Sequence, residues 1–297
     1  MSRIHVVTDS CARFTNAHYA AHNPVTIVPN TLTINGKSYR EGSDISTEDA
    51  LKLISKHPIA PKIVSPSVDD YIAIYGRLIR RHDAIISVHP SREIFPSWIN
   101  AKAAAQQMMG QCKIFVIDSQ MLCAAQGMLV QVAVKALQEG ESPEEIIRLV
   151  RGAVDRVYAI YYVDTTDFLR QNDIMSASHA VLGRMLGIKP FIAMEDGNLT
   201  MIEKVRTRNQ AIDRLVEFSS EFVDLESIAL LQPRLRFNDQ TRILQDKLAV
   251  VFPGHHFPYT VYSSALAALI GTHATGVVVL ECETGTIAGN NGRESDG

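Results

Sequence analysis

The chain has 297 residues, 46% of them hydrophobic, and a net charge of −3. That is enough apolar material for one or two cored domains. It excludes a nucleic-acid-binding role, because there is no basic run, no basic–aromatic interleaving and no zinc-finger spacing. No apolar run approaches the roughly 20 residues that span a bilayer, and no signal-peptide h-region follows Met1, so the expected location is cytoplasmic.

The chain opens with a strand, Arg3–Val7, that stops at Thr8-Asp9-Ser10. In open α/β folds ligands bind outside the carboxyl ends of the strands, which makes Asp9 and Ser10 candidate site residues. The same two residue types also cap helices. Strands are predicted at Val25–Val28 and Thr31–Ile34, with Asn35-Gly36 as a turn. A helix follows over Thr47–Lys56 with Thr47 as its cap, and another over Val68–Arg81 capped by Ser67. Ala84–Val88 reads as a buried strand, Ser97–Met109 as a helix, Ile114–Ile117 as a strand and Gln120–Glu139 as a long apolar helix closed by Gly140. Ser142-Pro143-Glu144-Glu145 has the form of a capping box opening a helix to about Asp155. This alternation predicts a doubly wound, mostly parallel sheet, a Rossmann-type α/β domain over residues 1–158.

From Val157 the pattern changes. Val157–Val163 is a predicted strand, and Thr166–Arg184 an irregular helical segment. Ile188–Met194 and Leu199–Lys204 flank the hairpin signal Glu195-Asp196-Gly197-Asn198. Helices are predicted over Thr207–Val223 and Asp239–Val251, and strands over Ser227–Leu231, Tyr259–Tyr262 and Val277–Cys282. The fold class is therefore α/β with a second α+β, mixed-sheet domain over 159–283, followed by a Gly-, Asn- and Ser-rich tail, 284–297, expected to be disordered.

Motifs of common enzyme chemistry are missing. There is no phosphate loop, no Gly-x-Gly-x-x-Gly after a strand and no Gly-x-Ser-x-Gly elbow. Cys11, Cys112, Cys123 and Cys282 form no Cys-x-x-Cys pair, and His255-His256 have no further ligand at metal spacing, so neither a metal nor a cofactor is expected. One enzymatic reading stays open, with Asp9 and His273 as an acid–base pair acting on a small molecule.

Five segments carry a resemblance when taken in order: Thr8-Asp9-Ser10, Pro61-Lys62-Ile63-Val64-Ser65-Pro66-Ser67, Ile117-Asp118-Ser119, Leu186–Ile192 followed by Gly197 and Lys204-Val205-Arg206-Thr207, and Ile270-Gly271-Thr272-His273. The set resembles the DegV family of bacterial fatty-acid-binding proteins, from about Ile4 to Glu281. The resemblance implies a soluble carrier and not a catalyst. It would enclose a long-chain fatty acid in a tunnel between two domains and present the carboxylate to a soluble fatty acid kinase partner. It also implies that His273 and Arg206 reach the head group. Buried methylenes supply about 0.8 kcal/mol each, so the tail dominates affinity. Apolar candidates for the tunnel lie in Gln120–Leu137 and Val181–Met194.

The resemblance breaks at the head group. Where the family has a Thr-Ser-x-Pro-Ser segment, this chain has Ile63 and Val64 before Ser65, Pro66 and Ser67. Where the family has Ser-Gly-Thr at a helix start, this chain has Phe95-Pro96-Ser97. A Gly-Gly-Arg segment expected after Asp167-Phe168-Leu169 is replaced by Asn172-Asp173-Ile174. Losing two donors to a buried carboxylate costs about 2–5 kcal/mol. Ser65, Ser67 and Ser97 are the nearby hydroxyls that remain. The expectation is an altered head-group pocket, with a degenerate protein whose pocket is closed as the competing reading.

Overall fold

The computed structural model describes residues 3–176, 187–236 and 238–283. Its described strands are β1 (Ile4–Asp9), β2 (Val25–Val28), β3 (Thr31–Ile34), β4 (Lys37–Arg40), β5 (Lys62–Val64), β6 (Ala84–His89), β7 (Lys113–Asp118), β8 (Val157–Val163), β9 (Lys189–Glu195), β10 (Asn198–Val205), β11 (Leu225–Gln232), β12 (Tyr259–Val261) and β13 (Ala274–Glu281). Its described helices are α1 (Tyr19–His22), α2 (Thr47–Ser55), α3 (Val68–Leu78), α4 (Ser97–Gln107), α5 (Cys123–Gln138), α6 (Pro143–Val154), α7 (Asp167–Gln171), α8 (Arg208–Ser220), α9 (Asp239–Val251) and α10 (Ser264–Ile270). The tail 284–297 and most of Val181–Met194's first half lie outside the described residues.

Three sheets organise the chain. The first is fully parallel, in the order β2-β1-β6-β7. The second has six strands in the order β10-β9-β8-β13-β11-β12; its β11–β12 pair is parallel and its other pairs are antiparallel. A small antiparallel sheet, β4-β3-β5, is inserted between β2 and β6. The α/β class with a parallel sheet and a mixed sheet is as the sequence predicts.

Strand alternation builds the layers. Val6 and Ile86 face a central cluster, while Val7 and Ile85 face Tyr71 and Tyr75 of α3 and Ala101 and Ala104 of α4. In the mixed sheet Tyr161 faces the centre, while Ile160 and Tyr162 face Leu215 of α8 and Leu244 of α9. The order across the molecule is α3/α4, parallel sheet, α5/α6, mixed sheet, α8/α9. Helix α5 is buried on nearly every side because it touches β1 and β6 on one side and β8 and β13 on the other.

Local chemistry sets the helix ends. The Ser67 hydroxyl accepts from the Asp70 amide while the Asp70 side chain accepts from the Ser67 amide, a full capping box. At α6 only half of the expected box forms: Ser142 accepts from the Glu145 amide, but the Glu145 carboxylate pairs with Arg148 at 2.6 Å. Ser46, not Thr47, caps α2, because the Thr47 hydroxyl accepts from Arg13 at 2.9 Å. Helix α5 begins three residues later than predicted, since Gln120 and Cys123 are left-handed and Leu122 is extended. Helix α10, between Tyr262 and Gly271, was not anticipated.

Two glycines allow close approaches between layers. A Cβ on Gly127 of α5 would lie 2.0 Å from the Arg13 carbonyl oxygen, so only glycine lets that loop sit on the helix. Gly197, at φ +77°, forms the tip of the β9–β10 hairpin. Its carbonyl accepts from Ser91 Oγ at 2.6 Å, which joins the mixed sheet to the loop after β6.

Candidate functional site

Polar residues gather at the carboxyl ends of the parallel strands. Asp9 ends β1 and His89 ends β6, and both are wholly buried. Asp9 Oδ1 accepts from the Cys11 amide at 3.0 Å and from Gln126 Nε2 at 3.4 Å. Asp9 Oδ2 stands 3.8 Å from His89 Nδ1. His89 continues the network: Nδ1 meets the Tyr71 hydroxyl at 3.2 Å, and Nε2 meets Ser87 Oγ at 2.7 Å. Ser87 in turn meets the Tyr75 hydroxyl at 2.8 Å. Burial, with the charge of Asp9, holds the Tyr71 hydroxyl well above its ordinary range, so it remains a protonated donor. Ser97, the first residue of α4, is fully buried, and its Oγ has no hydrogen-bond partner among the described residues.

Ser10 turns the other way. It donates to Glu41, accepts from the Asn30 amide at 2.8 Å, and lines a cleft of about 440 Å³ with Arg13, Glu41 and Ser264. Burial pushes the Glu41 carboxyl up to about 7, against the opposing bond from Ser10. The remaining predicted residues are dispersed. Ile63 on β5 pairs with Leu32 and packs on the central cluster. Ser65 is half-buried, and Ser67 is exposed with its hydroxyl committed to the α3 cap. Phe95 is buried within the central cluster. Arg206 is exposed, and its amide donates to Gln210.

His273 is exposed. It lines a groove of about 460 Å³ with Glu48 and Lys52 of α2 and with Arg234 and Arg236 after β11. A neighbouring cleft adds Tyr162, Asp164 and Arg208. Burial would raise the Asp164 carboxyl, but bonds from Lys189 and Tyr162 and the Arg208 charge hold it below its ordinary range. Asp9 and His273 are thus not brought together: one is sealed behind Gln126 and His89, the other opens to solvent. This removes the geometry on which the acid–base reading depended.

Among the described residues no cluster of His, Cys, Asp and Glu could hold a metal ion, and no helix is long and apolar enough to cross a membrane. Sequence reasoning missed His89, Gln126, Glu41 and the arginines of the groove. His89 carried a signal, since it ends an apolar strand as Asp9 does. Gln126 is a lone polar residue on an apolar helix.

A family model described as "Uncharacterised protein, DegV family" matches residues 3–281. The chain belongs to the DegV family. Protein DegV of Bacillus subtilis is 29% identical over 273 residues, covering 91% of this chain and 95% of that protein. A DegV domain-containing protein of Streptomyces coelicolor is 29% identical over 286 residues, 94% of this chain and 99% of its own. The solved structure of DegV, a fatty acid binding protein from Bacillus subtilis, superposes with a TM-score of 0.80 at 25% identity, over 95% of this chain and all 100% of that one. A fatty acid binding DegV family protein from Streptococcus agalactiae gives a TM-score of 0.84 at 22% identity, a likeness of fold, over 95% and 100% of the two chains. In this DegV chain the family's layered architecture is retained.

Proposed function

We propose that this protein binds lipid and encloses a long acyl chain between the parallel and the mixed sheet. One observation carries the reading: a single apolar cluster runs unbroken across both sheets and α5, and it includes the buried methionines Met121, Met128, Met175 and Met194. Methionine is flexible and adapts its shape to a guest chain. Each methylene moved out of water contributes about 0.8 kcal/mol, so a long tail needs few polar contacts to be held. Membership of the DegV family supports the same reading. The fatty acid bound by the Bacillus subtilis relative gives the class of ligand.

The reading includes a role as a carrier in the cytoplasm that hands its ligand to a soluble kinase. The groove around His273, with Lys52, Arg208, Arg234 and Arg236 along it, is the face on which such a partner would act. Residues 1–158 and 159–283 would be the two domains holding the chain. Of the predicted ligand contacts, Asp9, Ser97 and Phe95 would lie at the inner end of the site and His273 toward its mouth; Ser10 lines a separate cleft, and the Ser67 hydroxyl is committed to its helix cap.

A closed, ligand-free relative is the second reading, and the burial of Phe95 in the shared core favours it. Native mass spectrometry of the purified protein, with lipid extraction of the same sample, separates the two. A stoichiometric lipid adduct, or saturable uptake of an added long-chain lipid, is expected. A bare protein that takes up no added lipid overturns the proposal in favour of the closed pocket.

A further inference from the structure

The cleft beside Ser10 shares no lining residue with the groove around His273. It is a hollow of about 440 Å³, the size of a small-molecule site. The loops after β1 and β4 and the first residues of α2 and α10 meet around it. Ala12, Ile27 and Pro29 give it an apolar wall, and Arg13, Arg40, Glu41 and Ser264 supply polar groups.

Ser264 is the group left over. It is 1% exposed, and its Oγ has no hydrogen-bond partner among the described residues. Helix α10 does not need it, because Ser263 makes the cap by accepting from the Leu266 amide at 3.2 Å. A buried hydroxyl without a partner is costly, and one on the wall of a cleft is satisfied by what enters the cleft. Arg13 donates to the Val261 carbonyl at 3.3 Å and to the Thr47 hydroxyl at 2.9 Å. Both partners are uncharged, so these bonds leave the guanidinium charge uncompensated, and further N–H donors remain on it. Arg40 brings a second guanidinium, which Asp70 shares at 3.4 Å and whose backbone amide donates to Asp44. Glu41 is the carboxylate on the wall. It accepts from Ser10, and burial lifts it to about 7, with the Asp9 charge adding to the rise and the Ser10 bond and Arg13 opposing it. The wall thus presents more positive charge than negative and more donors than acceptors.

We propose that this cleft binds a small organic anion, a carboxylate or a phosphate monoester, through Arg13, Arg40 and Ser264, with its uncharged part against Ala12, Ile27 and Pro29. Guanidinium groups match both kinds of oxyanion. The proposal does not depend on lipid being bound.

Calorimetric titration of the full chain with butanoate and with glycerol 3-phosphate, and with butan-1-amine as the cationic control, tests it. At least one of the anions is expected to bind once per chain, and the amine not at all. Binding of neither anion, or of the amine as tightly as the anions, overturns the proposal. S264A removes a hydroxyl that bonds nothing else in the fold, so it should weaken the anion several-fold at an unchanged melting temperature. R13A should weaken it at least tenfold. Parent-like affinity in both variants would place the anion elsewhere and overturn the proposal. An anion beside Glu41 favours its neutral form, so butanoate should bind several-fold more tightly at pH 6 than at pH 8. E41Q should bind alike at both; a pH dependence in E41Q equal to that of the parent would overturn the part given to Glu41.

Discussion

Asp9 Oδ2 faces His89 Nδ1 across 3.8 Å, with both side chains fully removed from solvent. The two residues end adjacent parallel strands, so the backbone register and not a flexible loop sets their separation. Removing one member leaves the other buried without its counterpart, which costs about 3 kcal/mol. Asp9→Ala should therefore lower the free energy of unfolding in urea by about that amount. Asp9→Asn, which keeps an acceptor for the Cys11 amide, should cost markedly less. Equal losses for the two variants would show that the hydrogen bond from the Cys11 amide contributes nothing and that the loss comes from the charge both variants remove.

Glu41 links stability to pH. Its carboxyl ordinarily titrates near 4.5 and is raised to about 7 in the folded protein, first by burial. The native state therefore holds this proton more tightly than the unfolded chain does. The contribution is present in full below about 4.5 and is lost as pH rises through about 7. Urea midpoints compared at pH 5 and pH 8 should show a fall that the variant Glu41→Gln lacks. A Glu41→Gln profile parallel to that of the parent would remove Glu41 from the account.

The β9–β10 hairpin tip is a demanding backbone position where the mixed sheet meets the loop after β6. At Gly197 the chain is left-handed, and a Cβ there would stand 2.7 Å from Ser91 Oγ. Gly197→Ala should destabilise by about 1–2 kcal/mol through strained backbone and displacement of Ser91. Ser91→Ala alone should cost about 1 kcal/mol for the lost bond to the Gly197 carbonyl. The double variant should cost less than the sum, because removing the hydroxyl relieves the clash. Strict additivity in thermal unfolding would mean that the tip does not press on Ser91.

Ser67 separates cap from ligand contact. Its hydroxyl accepts from the Asp70 amide at 3.1 Å and donates to the Asp70 carboxylate at 2.8 Å. Ser67→Ala should cost about 1 kcal/mol of stability, the usual value of an N-cap, and leave lipid affinity within about twofold. A tenfold loss of affinity with an unchanged melting temperature would give the hydroxyl to the ligand.

Much of the architecture is legible in the sequence because it rests on local rules. The run Ala84–Val88, apolar but for Ser87, becomes a central parallel strand, and Asp239–Val251 is a helix with the bounds its spacing predicts. The Asp196-Gly197 turn is visible as a hairpin signal. Ser264–Ile270 is illegible for the opposite reason: its short run, apolar after Ser264, has no periodicity and is helical because it is packed between α2 and α7. The site is half legible. Asp9 follows from its strand-end position, and Ser97 from the family resemblance. Their partners His89 and Gln126 do not, since only the stacking of α5 on the sheet brings residue 126 to residue 9. Ser67 shows a further limit, because a capping serine and a ligand-binding serine obey the same spacing.

Helix α5 gives the molecule a shared middle layer. Its Val130, Ala133 and Val134 are packed into the one cluster that also contains Val6 of the first strand and Val278 of the last. Neither half can be cut away without stripping the other of a wall. The chain should consequently melt as a single cooperative unit, and the two ends of the gene should be constrained to diverge together, each shaped by the surface the other offers to the same helix.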